Sequence, residues 1–467
     1  MRVSVIGTGY VGLVSGACLA AKNHEVVCVD VDRAKVDAVN AGKCPIHEEG
    51  LPAIIARHAG STLTATTDLA AAVHETDLTL VAAPTPFDGE RIDLSYVREI
   101  ARRIGEALAR KRAYHVVVVK STVVPGTTDD VVGPAVAAGA GKVPGRDFGL
   151  GMNPEFLSEG VAVADFMQPD RIVAGGIDER TRDAIAALYE GFPGVPLLRV
   201  NNRSAEMMKY ASNALQALMI SFANEIADLC EAVGDVDATE VMRGVHSMKE
   251  LTPLDERAGR VKAPITSFLF PGCGFGGSCF PKDLKAITAH GRTLDLPMNV
   301  LEAAISVNAG RPLRMVDLAE AGLGTLVGRR VAVLGLAFKQ GTDDMRESPA
   351  IPIVRELQRR GAVVTAFDPV AAGQAVRTFG KAAPRLAASL DEAVRDADAI
   401  LLVTRWSDFG DLPRLIAARG GQPPLLVDGR RMIDPHAVPW YRGIGLRERA
   451  ASSPRGSVAQ DREGSLS

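Results

Sequence analysis

The sequence predicts an α/β protein, with two Rossmann-like doubly wound parallel-sheet domains joined by a long central helix. Three observations lead there. Near-continuous apolar runs alternate with helical patterns through the first 120 residues, a second set of such runs returns from residue 330, and a proline-free stretch at helical spacing lies between them.

The opening runs are "RVSVIG" (2–7), "EVVCVD" (25–30), "TDLTLVA" (76–82) and "HVVVVK" (115–120). Runs of this kind suit strands buried on both faces of a parallel sheet. Helical stretches such as "DLSYVREIARRIGEALAR" (93–110) supply the crossovers. The pattern returns as "RVAVLG" (330–335), "AVVTAFD" (362–368), "ADAILLVT" (397–404) and "PLLVDG" (424–429). Residues 203–234 carry apolar side chains at Met208, Ala211, Leu215, Leu218, Phe222, Ile226 and Leu229. That spacing predicts one helix of roughly 30 residues and about 45 Å, long enough to join two domains and to carry a dimer interface. The final stretch, 447–467, is polar and is expected to be a disordered tail.

Composition narrows the function. A chain of 467 residues is too long for one core, and 47% apolar with 23% charged residues is ordinary for a globular protein. The formal net charge of −3 offers no footprint for nucleic acid or an anionic membrane. The six cysteines, at 18, 28, 44, 230, 273 and 279, lack CxxC spacing, so neither disulfides nor a metal site is expected and a reducing cytoplasm fits best. The N-terminal run has the look of a signal peptide, but its glycines have a better explanation.

Gly7, Gly9 and Gly12 form GxGxxG directly after the first strand and open a helix through Tyr10 and Val11. Such glycines permit a tight turn, close approach of a pyrophosphate and close helix–strand packing, with the phosphates on the helix N-terminal amides. Asp30 ends the second strand, where a carboxylate binds both adenosine ribose hydroxyls and repels a 2′-phosphate, so NAD is favoured over NADP. The second copy reads "LGLAFK", lacks the fingerprint, and is expected to bind something other than a dinucleotide, or nothing.

In "GFGGSCFPKD" (274–283), Pro281 suits the first turn of a helix, so Cys279 stands just before a helix N-terminus and beside Lys282. Both features favour a thiolate, while Asp283 opposes it. Taken alone, the motif fits a packed cysteine as well as a nucleophile. Lys209 and Asn213 are four apart on the long helix and share a face, as a solvated stripe would too. "NPEFLSEG" places Glu155 and Glu159 four apart after an Asn-Pro turn, and "KSTVVPG" (120–126) follows a strand's C-terminal end. "GLAFKQGTDDMRESP" (335–349) puts Lys339 and Arg346 in one loop suited to a second phosphate-rich ligand.

Together, "IGTGYVG", "NPEFLSEG", "MKYASNA", "GFGGSCFPKD", "GLAFKQGTDDMRESP" and "DGRR" resemble the UDP-glucose/GDP-mannose dehydrogenases, from residue 1 to about 445. The resemblance implies a dimer or higher homo-oligomer and a four-electron oxidation of a nucleotide sugar's primary alcohol to a carboxylate, with two NAD reduced. By this resemblance Cys279 is the nucleophile, Lys209 with Asn213 stabilises an oxyanion, Asp283 orients a water held by Thr122, and Glu155 is the base. Cofactor contacts carry over to Gly7, Gly9, Tyr10, Val11, Gly12, Asp30, Lys35, Thr122, Glu159, Lys282 and Arg346. Substrate contacts carry over to Glu155, Phe156, Lys209, Asn213, the turn Phe270, Gly274, Phe275 and Gly276, and Phe338, Lys339 and Arg430. The implied division is a dinucleotide-binding domain at 1–200, a central domain at 201–310 with the long helix and the cysteine loop, and a nucleotide-sugar-binding domain at 311–446. "GGSCFPKD" and "VTRW" (403–406) lean to UDP-glucose; GDP-mannose and UDP-N-acetylhexosamines are the alternatives, and a two-electron hydroxyacid-type dehydrogenase a further one. The chain departs from the family pattern at Ser158, Ala83 and Cys273, and no clean match exists for an arginine that reaches a neighbouring subunit, although Arg260 and Lys262 lie nearby. A reversible oxidation between Cys273 and Cys279 is a further expectation to test.

Overall fold

The computed structural model describes residues 1–255 and 258–446; the expected tail lies outside them. Valine-rich segments, too short and too apolar for surface helices, pair into a sheet of eight strands: β1 (Arg2–Ile6), β2 (Glu25–Val29), β3 (Leu63–Thr66), β4 (Leu78–Val81), β5 (Val116–Val119), β6 (Gly149–Met152), β7 (Ile172–Gly176) and β8 (Leu197–Val200). Their order is β3-β2-β1-β4-β5-β6-β7-β8, parallel throughout except where β6 meets β7. Strands β4, β5 and β6 are buried along their whole length, as the unbroken apolar runs require.

A short ribbon of β9 (Leu254–Asp255) and β10 (Gly259–Arg260) follows, and it holds Arg260 on an exposed edge. The second sheet has six parallel strands: β11 (Arg330–Leu334), β12 (Val363–Phe367), β13 (Arg385–Leu386), β14 (Ala399–Leu402), β15 (Leu425–Asp428) and β16 (Tyr441–Gly443). Its order, β13-β12-β11-β14-β15-β16, repeats the reversal of the first sheet. In both, the first strand of the unit lies between the second and the fourth, which opens a crevice at the strands' carboxyl ends.

The long helix runs Asn202–Val233, 32 residues, capped by the Asn201 side chain on the Ser204 amide. Its buried face is not the one the apolar spacing suggested. Leu215, Phe222 and Leu229 are 50%, 46% and 60% exposed, while Ala205, Lys209, Asn213, Ala217, Ser221, Asn224 and Ala227 face inward. Alanines and serines take much of that face because the helices Asn299–Leu323 and Phe280–Arg292 pack directly against it. The polar members of the face are held by specific hydrogen bonds, among them Ser221 Oγ to the Ala304 carbonyl at 2.8 Å.

Candidate active site

The glycine turn sits at the reversal between β1 and β4. Gly7 has φ +99°, and a Cβ there would stand 2.5 Å from the Ala82 carbonyl oxygen. A Cβ on Gly12 would stand 1.8 Å from the Gly7 oxygen, so only glycine lets the helix Tyr10–Ala21 approach the strand. Gly9 differs, because nothing lies within 4 Å of its would-be Cβ, and no side chain caps the helix that follows. The open space and the uncapped amides together form an anion cradle of pyrophosphate dimensions. Asp30 closes the far end, accepting from the Thr8 amide at 2.8 Å and the Thr8 hydroxyl at 2.6 Å. Burial opposes its charge, but the Thr8 and Asp32 donors outweigh that and keep its pKa below the usual carboxylate value, with Lys35 adding to the same effect. The residues therefore fit a dinucleotide. In the second sheet the corresponding carboxylate, Asp368, is buried and takes two turn amides, those of Leu336 and Ala337 at 2.7 and 3.0 Å, where Asp30 takes one together with the Thr8 hydroxyl.

The thiol of Cys279 lies at the start of the helix Phe280–Arg292, where the chain leaves a turn with Gly274 and Gly277 at φ +92° and +86°. Around it stand the groups expected from the sequence. Lys209 Nζ pairs with Glu155 Oε1 at 3.0 Å, with side chains 4% and 5% exposed. Asn213 Nδ2 donates to Asp283 Oδ2 at 2.6 Å, and Lys282 Nζ holds the other oxygen of the same carboxylate at 2.5 Å. Burial opposes the charge on Lys209, but Glu155, Cys279 and Asp283 outweigh it and hold its pKa above the ordinary value. For Glu155, burial is likewise outweighed, by Lys209, by the Leu157 amide at 2.7 Å and by Lys120, so it stays an ionised carboxylate.

The thiol itself corrects an expectation. Burial pushes the Cys279 pKa up, Glu155 and Asp283 push the same way, and Lys209 with Ser278 only partly offsets them. Lys282 does not serve the thiol, because its ammonium is spent on Asp283. Without ligands these surroundings favour the protonated thiol.

Two further sets complete the site. Glu159 Oε1 pairs with Arg346 Nη2 at 3.0 Å and accepts from Ser278 Oγ at 3.2 Å, and Arg346 also grips Asp344 at 2.6 Å. This joins three expected or neighbouring cofactor contacts from separate parts of the chain. The Phe270–Gly276 turn is clamped from two helices: Asn224 Oδ1 accepts the Gly272 amide at 2.8 Å, and Asn308 both accepts from and donates to the Phe275 backbone at 2.8 and 3.0 Å. Arg430 reaches the Gly274 carbonyl at 3.2 Å, and Phe275 meets Phe280 edge-on at 6.0 Å. A Cβ on Gly276 would lie 2.2 Å from the Glu347 oxygen, and one on Gly277 would lie 2.7 Å from the Phe338 ring. The turn is thus pressed between the two halves of the chain. Lys339 is half-buried beside it, and burial lowers its pKa against the pull of Glu159.

These features have counterparts in known proteins. Residues 1–193 match the NAD binding domain of the UDP-glucose/GDP-mannose dehydrogenase family, residues 203–310 its central domain, and residues 332–435 its UDP binding domain. The chain belongs to the UDP-glucose/GDP-mannose dehydrogenase family. Among its relatives, the UDP-glucose 6-dehydrogenase AglM of Haloferax volcanii is 43% identical over 440 residues, covering 93% of this chain and 97% of that one. A UDP-glucose 6-dehydrogenase of Rhizobium meliloti is 41% identical, covering 92% of this chain and 95% of that one. The structure of a UDP-glucose dehydrogenase from Pyrobaculum islandicum superposes with a TM-score of 0.86 at 38% identity, covering 96% of this chain and 98% of that one. As in the family, the first domain is built for NAD, which is the cofactor.

Within this family member, several expected residues stand apart from the thiol's network. The Thr122 carbonyl accepts from Thr85 Oγ1 at 2.9 Å. Ser158 uses its amide on Asp165 at 2.9 Å. Phe270 lies under Arg405, whose guanidinium is 5.9 Å from the ring centre. Phe156, by contrast, touches that network: Arg171 covers its ring at 3.7 Å and Lys209 Nζ lies 5.7 Å from the ring centre. Cys273 is fully buried in the core of the second sheet, its thiol donating to the Val403 carbonyl at 3.3 Å, so it points away from the solvent that an oxidation with Cys279 would need. Sequence reasoning overlooked Asn224, Asn308 and Glu206. Glu206 takes the Gly126 and Thr128 amides at 2.6 and 2.7 Å and so pins the loop after Thr122. Their signal was present: polar residues at helical spacing with the inward Lys209 and Asn213 on the long helix, and beside the buried Arg311 on the helix Asn299–Leu323.

Proposed function

We propose that this chain oxidises the primary alcohol of UDP-glucose to the carboxylate of UDP-glucuronate, releasing two NADH per sugar. The observation that carries the reading is the convergence of Cys279 with the Lys209–Glu155 and Asn213–Asp283 pairs between the NAD domain and the second sheet. A two-electron oxidation has no use for a buried thiol beside a lysine. NAD, when bound along Gly7–Gly12 and Asp30, supplies the hydride acceptor for each of the two oxidations.

The chain's residues do the rest. Cys279 Sγ adds to the carbonyl carbon of the aldehyde, forming a C–S bond, while its proton passes to a neighbouring carboxylate. Lys209 and Asn213 hold the resulting oxygen of the thiohemiacetal. Loss of a second hydride from this oxyanion leaves a thioester on Cys279. Asp283, fixed by Asn213 and Lys282, orients the water, and Glu155 takes its proton as the C–S bond breaks. The sum is RCH₂OH + 2 NAD⁺ + H₂O → RCOO⁻ + 2 NADH + 3 H⁺. The nucleotide is assigned to residues 311–446, the central domain to 201–310 and the NAD domain to 1–200.

UDP-glucose is chosen because the relatives named for it are 43% and 41% identical. GDP-mannose is the second reading, since a GDP-mannose 6-dehydrogenase of Pseudomonas syringae is 36% identical over 446 residues. A homodimer is supported by Leu215, Phe222 and Leu229, exposed at seven-residue intervals on the long helix. The six unpaired cysteines suit a reducing cytoplasm. The deciding experiment measures NADH against a panel of nucleotide sugars. Two NADH per UDP-glucose are expected, and Cys279→Ser is expected to abolish turnover while both ligands still bind. One NADH per sugar, or acid formation by Cys279→Ser, overturns the covalent route; no turnover with UDP-glucose overturns the substrate.

A further inference from the structure

Lys120 is a buried charged group near the active site with no step in the proposed reaction. It directly follows β5 and is only 3% exposed. Its ammonium donates to Asn153 Oδ1 at 2.8 Å and to the Tyr189 hydroxyl at 3.3 Å, and Tyr189 donates to the same Asn153 oxygen at 2.6 Å. The Asn153 amide nitrogen is in turn anchored on the Val173 carbonyl at 2.8 Å. Asn153 and Pro154 lead directly into Glu155. Lys120, Asn153, Glu155, Phe156, Arg171 and Tyr189 share the wall of a cavity of about 230 Å³.

A buried ammonium is costly, and a chain that needs only to tether Asn153 would do so with a neutral donor. The charge needs a partner. Glu155 is the buried carboxylate whose field favours charge on Lys120, while burial and Lys209 oppose it and bring it down to about 8. Other charges around Glu155 are already committed. Lys209 of the long helix is paired with it, Asp283 of the cysteine helix is held by Asn213 and Lys282, and the thiol of Cys279 is raised. On the cavity's outer wall Arg171 is paired with Asp170 at 2.6 Å and donates to Ser212 at 3.0 Å, and Asp165 is taken up by the Ser158 amide.

We propose that Lys120 is a positioning residue for Glu155: through Asn153 it fixes the loop that carries the carboxylate, and from the cavity side it supplies a second positive charge that keeps the carboxylate ionised. Lys209 faces the substrate and must share its charge with the reacting oxygen. Lys120 stays behind, so Glu155 remains a base while Lys209 is engaged.

The inference rests on Glu155 acting as the base in the proposed reaction, and the test separates the two. Rates of NADH formation are measured from pH 4 to 9 for the wild type, Lys120→Met and Lys120→Gln, with melting temperatures alongside. Lys120→Gln retains a donor for Asn153 without the charge. The expected result is an acid limb of kcat displaced upward by about one pH unit in both variants, KM for sugar and NAD within about twofold of wild type, and kcat lower by up to about tenfold at pH values below both limbs. An acid limb in the wild-type position in a folded Lys120→Gln overturns the electrostatic role, whatever happens to stability. Failure of the wild type to form acid would instead strike the parent reading.

Discussion

Lys209 and Glu155 meet at 3.0 Å with both side chains about 95% withdrawn from water, one on the long helix and the other on the loop after β6. Such a pair adds little to stability when whole, but breaking it leaves a lone buried charge. Lys209→Met is therefore expected to cost about 3–5 kcal/mol in urea unfolding. It should also lower kcat by at least about a hundredfold, the scale of a lost oxyanion partner. The double variant Lys209→Met/Glu155→Gln should recover most of the stability and none of the activity. Recovery of both would remove Lys209 from the chemistry.

The resting thiol makes a second prediction. Because burial, Glu155 and Asp283 push the Cys279 pKa above its ordinary value, alkylation by iodoacetamide in the absence of ligands should have a midpoint above about 8.5. Asp283→Asn should lower that midpoint and Lys209→Met should raise it, because the first removes a carboxylate and the second a cation. Mass spectrometry of the labelled peptide at a series of pH values reads both. A midpoint below 7 in the unliganded protein would contradict the arrangement.

Gly9 separates folding from cofactor binding. It has φ −69°, which any residue adopts, and a Cβ there meets nothing within 4 Å. Gly9→Ala should melt within a degree or two of wild type yet bind NAD at least about tenfold more weakly, because the methyl enters the pyrophosphate's space. Gly12→Ala, whose Cβ would stand 1.8 Å from the Gly7 oxygen, should lose stability as well. Equilibrium NAD titration with calorimetric melting distinguishes the two.

His115 predicts an acid limb in stability. It is 1% exposed, its Nε2 lies 2.7 Å from Thr79 Oγ1, and burial together with the charge of Lys111 brings it down to about 3. In the unfolded chain it titrates near 6.5. Between those values the unfolded state binds the extra proton, so stability is full above about 6.5 and falls as the pH drops toward 3, by up to about 1.4 kcal/mol per pH unit. His115→Gln should flatten that slope in urea melts at pH 4–7; an unchanged slope would show that other groups carry it.

Much of this was legible from the sequence, and for identifiable reasons. Strands buried on both faces must be apolar without a break, so the runs at 2–7, 115–120 and 330–335 declared themselves as β1, β5 and β11. Gly7 and Gly12 were legible because backbone contact excludes every other residue, and the reading of Pro281 as a helix start placed Cys279 correctly at the helix N-terminus.

Other features depended on neighbours far along the chain. The long helix was located within a residue at each end, but its apolar residues at 215, 222 and 229 pointed outward, because inward space was set by two helices beginning at Phe280 and Asn299. The charge state of Cys279 depends on distant neighbours in the same way. The helix start and the adjacent Lys282 argue locally for a thiolate, yet Lys282 is turned to Asp283, and Glu155, from more than a hundred residues away, pushes the thiol the other way. Local sequence determines which backbone conformations and which strands are possible. Tertiary structure decides which charges stand together away from water, because electrostatic interaction depends on distance and burial, and neither is written in residue order.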